Sequence, residues 1–216
     1  DEYQRKFISN ISHDFRSPLT SIRGYVQAMV DGVIPPESQQ KYLDIILFET
    51  DRLTKLTSNL LDVNNFDKDN IFLDISRFNL HDSIRKTAGA LEGVAAKKDI
   101  HFDLELSDTE PLWVSGDKDK IQQVLHNLMD NAVKFSHEGS SILISTREKG
   151  NRVFVSVKDS GIGIPKDDLG KIFERFYKTD LSRGKDKLGT GLGLSICKEI
   201  ITAHKQNLDV VSTEGV

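Results

Sequence analysis

Apolar residues recur at every third or fourth position through the first thirty residues: Phe7, Ile11, Phe15, Leu19, Ile22, Val26 and Met29. That period places them on one stripe of a helix. Asp31-Gly32-Val33-Ile34-Pro35-Pro36 breaks the pattern, and a second helix is expected from about Pro36-Glu37-Ser38. Tyr42, Ile46, Glu49, Leu53, Leu56, Leu60 and Val63 then alternate steps of four and three, a heptad seam with one polar member. Two amphipathic helices joined by so short a link predict an antiparallel hairpin. A lone hairpin buries little apolar surface. The pattern therefore predicts a dimeric four-helix bundle, with packing on the rest of the chain as the alternative.

The pattern changes near residue 66, where Phe66-Asp67-Lys68-Asp69-Asn70 reads as a polar hinge. Beyond it, strands are expected at Ile71 to Arg77, Ile100 to Leu106 and Leu112 to Val114. Two further strands, Ser141 to Arg147 and Arg152 to Val157, flank Lys149-Gly150-Asn151 and read as a hairpin. Helices are expected at Leu80 to Lys97, capped by Asn79, at Asp117 to Ser136, and from about Gly191 to His204. In the second of these, Ile121, Val124, Leu125, Leu128, Ala132 and Phe135 form the expected buried side. A last strand is expected at Gln206 to Ser212. The succession predicts an α+β domain, a mixed or antiparallel sheet with helices on one face.

Composition narrows the picture. Among 216 residues, 38% hydrophobic content and a mean hydropathy of -0.36 fit a globular chain with material for a core. A net charge of -4 argues against binding driven by nucleic-acid phosphates. The single cysteine, Cys197, allows no internal disulfide and no cysteine metal cluster. No apolar run reaches the roughly 18 residues of a membrane span. The opening on Asp1 suggests a cytoplasmic piece of a longer protein.

Candidate chemistry lies in five places. On the helix Asp117 to Ser136, residues Gln123, Asn127, Asn131 and Lys134 share the face opposite the apolar one, where amides could serve Mg²⁺ and an ammonium could serve phosphate. A merely solvated face is the competing reading. Asp159-Ser160-Gly161-Ile162-Gly163-Ile164-Pro165 follows a strand, with glycines that let backbone approach a flat ligand and a carboxylate suited to an exocyclic amine. An ordinary turn would carry the same residues. Leu188-Gly189-Thr190-Gly191-Leu192-Gly193-Leu194 opens a helix and would present N–H groups to phosphate. Between these lies a stretch from 175 to 187 in which Arg175, Lys178, Arg183, Lys185 and Lys187 face only two acidic residues, Asp180 and Asp186. It suits a lid over a polyphosphate, or a plain surface loop. The fifth feature is His13, beside Asp14 and off the apolar stripe.

Taken in order, these segments resemble the sensor histidine kinases of two-component signalling over nearly the whole chain. His13-Asp14-Phe15-Arg16-Ser17-Pro18-Leu19 resembles that family's H box, and Asn127 to Phe135 its N box. Asp159 to Gly163 is similar to the G1 box, Phe173 to Lys178 to the F box, and Gly189 to Leu194 to the G2 box. The resemblance implies a dimerisation and phosphoacceptor hairpin over residues 1–66. An α+β two-layer sandwich of the GHKL or Bergerat ATPase type would follow over 67–216, its final strand cut short after Val216.

It further implies ATP and Mg²⁺ as cofactors, with phosphorylation of His13 assisted by Asp14. The phosphoryl group would pass to an aspartate of a response regulator. Asn127 would ligate Mg²⁺. Asn131, Lys134, Lys178 and the Gly189 to Gly193 amides would hold phosphates, and Asp159, Gly161 and Gly163 would hold adenine. Phe135, Ile164, Tyr177, Thr190 and Leu192 would complete the nucleotide site. Ser17 stands where the family usually has Thr or Asn four residues after the histidine, a position linked to phosphatase activity toward the regulator. Ser160 replaces the usual Asn after the G1 aspartate. The family also implies a homodimer and a membrane-anchored bacterial parent, with this piece on the cytoplasmic side. A Bergerat clamp or chaperone ATPase would need a catalytic Glu where Asn127 and Asn131 stand, and an inactive dimeric scaffold would not need intact boxes.

Overall fold

Helix α1 runs over Glu2–Val30 and α2 over Gln39–Asn65, joined through a single 3-10 turn at Pro36–Ser38. The computed structural model describes residues 2–65, 72–179 and 189–214, with backbone alone at 2–11, 13, 55 and 58–65. The expected hinge at 66–70 lies outside the described residues. Two compact units emerge, Asp1–Asn65 and Phe66–Val216.

In the first unit, α1 ends in a Schellman turn: Val33 N–H donates to the Ala28 carbonyl at 2.9 Å and Gly32 N–H to Met29 at 3.1 Å. The two helices then run back along each other, with the Tyr25 and Tyr42 rings 5.2 Å apart. The single apolar stripe expected on α1 divides in two. Phe15, Pro18, Ile22, Tyr25 and Met29 are buried or half-buried, whereas Leu19 is 53% exposed and Val26 44%. Val30 continues the outer set, and Leu43 and Leu47 add an exposed apolar edge on α2. One stripe seven residues wide cannot all face a single neighbouring helix.

The second unit holds two small sheets. Strand β1 (Ile75–Asn79) pairs antiparallel with β3 (Trp113–Asp117). Strand β4 (Ser141–Lys149) pairs parallel with β2 (His101–Glu105) and antiparallel with β5 (Arg152–Lys158). Helices α3 (Leu80–Ala96) and α4 (Lys118–Phe135) cover one side, and α5 (Gly193–Ala203) packs on α4. Their common core contains Ile84 and Leu91 of α3, Leu125, Met129 and Val133 of α4, and Ile142 and Ile144 of β4. The period-two alternation of β4 sends Ile142, Ile144 and Thr146 inward.

Three details differ from the pattern reading. The first strand was expected from Ile71 to Arg77 but runs from Ile75 to Asn79. The Asp74 N–H is taken by the Asp117 carboxylate at 3.0 Å, which ends the ladder, and Asn79 closes the strand by capping α3 through His81 N–H. On α4, Leu128 and Phe135 are half-buried, while Met129 and Val133 fill the core. No strand forms at Gln206 to Ser212. There the Leu208 carbonyl accepts from Lys198 Nζ at 3.2 Å and Ser212 Oγ accepts from Ile164 N–H at 2.9 Å, so side chains rather than a ladder tie the segment down.

Two polar clusters fix the helix starts. Asp117 caps α4 by accepting from Lys120 N–H at 3.0 Å. Burial acts to raise its carboxyl, but backbone N–H donors from Lys120, Asp74 and Asp119 outweigh it and hold the group below the ordinary value. At α3, Glu110 accepts from Arg85 at 2.7 Å, from Asn79 at 3.2 Å, and lies 3.1 Å from Nδ1 of the fully buried His81. The Arg85 hydrogen bond, then those of Asn79 and His81, lower the Glu110 carboxyl from 4.5 to about 2. A carboxyl lowered on folding stabilises the folded state above its unfolded value, and that contribution is lost as pH falls through the folded one. Glu110→Gln should therefore cost stability in urea unfolding at neutral pH. The gap between variant and parent should close as pH is lowered from about 5 to about 2.

Candidate functional site

Helix α4 brings its four polar residues to one side, because steps of four and three return to the same face. Gln123, Asn127, Asn131 and Lys134 are all half-buried there, opposite the buried Leu125, Met129 and Val133. Asn127 Nδ2 donates to the Gly193 carbonyl at 3.4 Å, which joins α4 to the first turn of α5. Oδ1 of Asn127 is the kind of hard oxygen a divalent cation could use. Lys134 pairs with Asp130 one turn before it, at 2.7 Å. Lys98 then caps the C-terminal end of α4, donating to the carbonyls of Val133 at 2.9 Å and Lys134 at 2.7 Å.

Three loops close around this helix. The first carries Asp159 to Ile164. Asp159 Oδ1 accepts from Gly161 N–H at 3.0 Å, and Ile162 N–H donates to the Phe135 carbonyl at 3.3 Å. Ser136 and Gly161 form an isolated β-bridge, and a Cβ on Gly161 would fall 2.5 Å from the Phe135 oxygen. Gly163 has a φ of +68°, and a Cβ there would strike the Thr213 carbonyl. The second loop carries Tyr177, whose hydroxyl donates to Asp168 Oδ1 at 2.6 Å, and the half-buried Lys178. The third is Gly189 to Gly193. Thr190 Oγ1 accepts from Leu192 N–H at 3.3 Å, Leu192 is fully buried, and Ser195 Oγ donates back to the Leu192 carbonyl at 2.8 Å.

The second and third loops are clasped together. Phe176 N–H donates to the Gly191 carbonyl at 2.9 Å, with φ of +65° at Phe176 and +70° at Gly191. A Cβ on Gly191 would lie 2.7 Å from the Phe176 carbonyl carbon, so only glycine fits. Thus Asn127, Phe135, Gly161 and the Gly189 to Gly193 turn are linked by direct contacts along α4, and Phe176 brings the Tyr177–Lys178 segment to that turn. Arg175, counted among the basic residues of the expected lid, pairs with Glu199 of α5 at 2.9 Å. Residues 180–187 of the expected lid, and Leu188 of the glycine segment after it, lie outside the described residues. The positive φ of Phe176 and the pairing of Arg175 left no sequence signal, whereas Asp130–Lys134 was readable from its i, i+4 spacing.

Cys197 packs behind this site. It is fully buried, and burial pushes its thiol up to about 12 despite a hydrogen bond from Asn127. Among the described residues no group of three or more His, Cys, Asp or Glu could hold a metal ion.

His13, Asp14 and Ser17 lie on α1 in the first unit. Asp14 is half-buried and Ser17 exposed. Pro18, fully buried one turn after Asp14, cannot supply the N–H that a helix normally donates to the Asp14 carbonyl.

Two family descriptions match this chain: the His Kinase A (phospho-acceptor) domain over residues 3–68, and the histidine kinase-, DNA gyrase B-, and HSP90-like ATPase over residues 116–216. The chain belongs to the histidine kinases. It is 37% identical to the sensor histidine kinase WalK of Bacillus subtilis, over all of this chain and 35% of WalK. It spans about a third of the length of the curated relatives it matches. Histidine kinase ThkA, solved in complex with response regulator protein TrrA, aligns with a TM-score of 0.74 at 32% identity, over 93% of this chain and 55% of that one. Full-length ShkA in complex with AMPPNP aligns with a TM-score of 0.66 at 26% identity, over 92% of this chain and 41% of that one.

The close approach at Gly191 yields a direct stability test. Gly191→Ala should destabilise the fold by about 1–3 kcal/mol, since it adds both left-handed strain and a backbone clash. Gly89→Ala, in the exposed middle of α3 with nothing within 4 Å of a Cβ, should stabilise by roughly 0.5–1 kcal/mol. Thermal unfolding of the two variants should move in opposite directions.

Proposed function

We propose that this chain is the catalytic core of a sensor histidine kinase that phosphorylates His13 from ATP. The phosphoryl group then passes to an aspartate of a response-regulator receiver domain. The observation that carries the reading is the polar face of α4 closed by three backbone-packed loops, in a chain whose first helix bears His13 and Asp14. ATP would lie with its adenine at Asp159, Gly161, Gly163, Ile164 and Phe135. Its phosphates would lie among Asn131, Lys134, Tyr177, Lys178, Thr190, Leu192 and the amides of Gly189, Gly191 and Gly193. The N-terminus of α5 adds the positive end of a helix dipole there. A single protein oxygen, Asn127 Oδ1, suits Mg²⁺, which takes its other ligands from phosphates and water and would supply charge neutralisation.

The chemistry then needs positioning and one proton acceptor. A neutral imidazole, with a reference pKa of about 6.5, offers a lone pair at neutral pH. That nitrogen of His13 attacks the γ-phosphorus while the bond to the bridging oxygen breaks and ADP leaves. Asp14 orients the ring and accepts the proton of the other nitrogen. In the second step a carboxylate oxygen of the regulator attacks phosphorus and the P–N bond breaks. Ser17, exposed one turn after His13, stands at the position that the family links to hydrolysis of the regulator's phosphoaspartate, with Ser in place of the usual Thr or Asn. ThkA's solution with its response regulator supports the choice of partner, and ShkA's complex with AMPPNP supports the nucleotide.

The outer apolar stripe of Leu19, Val26 and Val30, with Leu43 and Leu47, supports a homodimer in which two hairpins form a four-helix bundle. Among the described residues no helix is long and apolar enough to cross a membrane. Membrane attachment would belong to other parts of a parent sensor, with this chain on the cytoplasmic side.

His13→Ala should abolish acid-labile labelling from γ-labelled ATP while ATP binding persists; label that survives would move the acceptor elsewhere. Asp159→Asn should weaken ATP binding by about tenfold or more, the worth of a hydrogen bond to a charged group. Unchanged affinity in a titration would remove the adenine assignment.

A further inference from the structure

Helix α5 begins at the Gly189 to Gly193 turn, and its middle faces the segment that carries Tyr177 and Lys178. Glu199 meets Arg175 there through two nitrogens, Nε at 2.9 Å and Nη2 at 2.5 Å, both on Glu199 Oε1. The side chains are only 22% and 26% exposed. The neighbouring Lys198 sits 5.5 Å over the Phe173 ring. Together with the Phe176–Gly191 clasp, these contacts fasten residues 173–176 at two points on α5 and one on the turn before it.

The second oxygen of the carboxylate, Glu199 Oε2, is buried and has no hydrogen-bond partner among the described residues. A carboxylate half-stripped of partners is costly for a fold to keep. An ion pair that served packing alone would be readily replaced by apolar side chains of similar volume. The pair has a geometric consequence: with the Phe176–Gly191 clasp, it holds the segment leading to Lys178 against α5 and the glycine turn that opens it. Lys178 and the amides of Gly189 to Gly193 can then converge on the same phosphates.

We infer that Glu199 and Arg175 are positioning residues for the nucleotide site, forming a strut that sets the spacing between Lys178 and the glycine turn. Neither residue touches nucleotide; each acts through Phe176, Lys178 and Gly191. The inference rests on the ATP-binding reading above. A hydrogen bond to a charged phosphate is worth roughly tenfold or more in affinity, and misdirecting it forfeits that. Loss of the strut is therefore expected to weaken Mg·ATP binding by about tenfold. Since His13 and Asp14 are not involved, turnover at saturating ATP is expected to stay within about twofold, so KM rises while kcat holds.

The test measures Mg·ATP affinity, autophosphorylation KM and kcat, and thermal unfolding for the whole chain. The variants are Glu199→Gln, Arg175→Lys, and the exchange Arg175→Glu with Glu199→Arg. The strut predicts a raised KM in Glu199→Gln, a smaller rise in Arg175→Lys, and recovery in the exchanged pair. Where Glu199→Gln fails to fold, Arg175→Lys against the exchanged pair decides the outcome. Affinities within twofold of the parent in every folded variant would overturn the strut while leaving the ATP site intact. A parent chain that binds no Mg·ATP would overturn the ATP reading and the strut with it. A fall in kcat with KM unchanged would also overturn the strut.

Discussion

Backbone meets backbone at Gly161, Gly163 and Gly191, so closely that a single Cβ at any of them would overlap a neighbouring main chain. Those three approaches let loops from distant parts of the sequence converge on one helix face. At Gly161 the contact is with the end of α4, at Gly163 with residues 213–214, and at Gly191 with Phe176. At each of them the space a side chain would take is filled by neighbouring main chain, which brings backbone amides of the loops close to α4. A ligand made of a flat ring and a chain of phosphates asks for such an environment.

The rest of the second unit holds that arrangement still. Helix α4 turns one face to the core through Leu125, Met129 and Val133, and this fixes the rotation that presents Asn127, Asn131 and Lys134 on the other. Asp117 and Lys98 cap its two ends. His204 joins the far end of α5 to the start of α4: its Nδ1–H donates to the Ile200 carbonyl at 2.8 Å and its Nε2 accepts from Asp117 N–H at 2.9 Å. The two helices that carry most of the proposed phosphate contacts are thereby tied at both ends of their contact, at Asn127–Gly193 and at Asp117–His204.

Much of this was legible in the sequence because it depends on period and on residue type. Helical stripes, the Gly150 hairpin and the cap at Asn79 follow from local rules, and the site face of α4 follows from a spacing of four, four and three. What escaped depends on contacts between distant segments. Leu128 and Met129 are equally apolar, and only the position of β4 decides which of them is buried. The end of β1 is set by the Asp117 side chain, forty-three residues away in sequence. The strand expected at 206–212 is replaced by ties to Lys198 and Ile164, and the left-handed Phe176 exists only because Gly191 lies against it. Arg175 looked like one more cation of a basic loop until Glu199 appeared beside it.

The proposed nucleotide site joins the α4 face to its three loops. Amide hydrogen exchange of the whole chain, with and without Mg·AMPPNP, tests it most directly. A single site of this kind entails added protection in four segments together: 127–136, 159–164, 174–178 and 189–195. Protection confined to other segments, or unchanged exchange at saturating nucleotide, would contradict it.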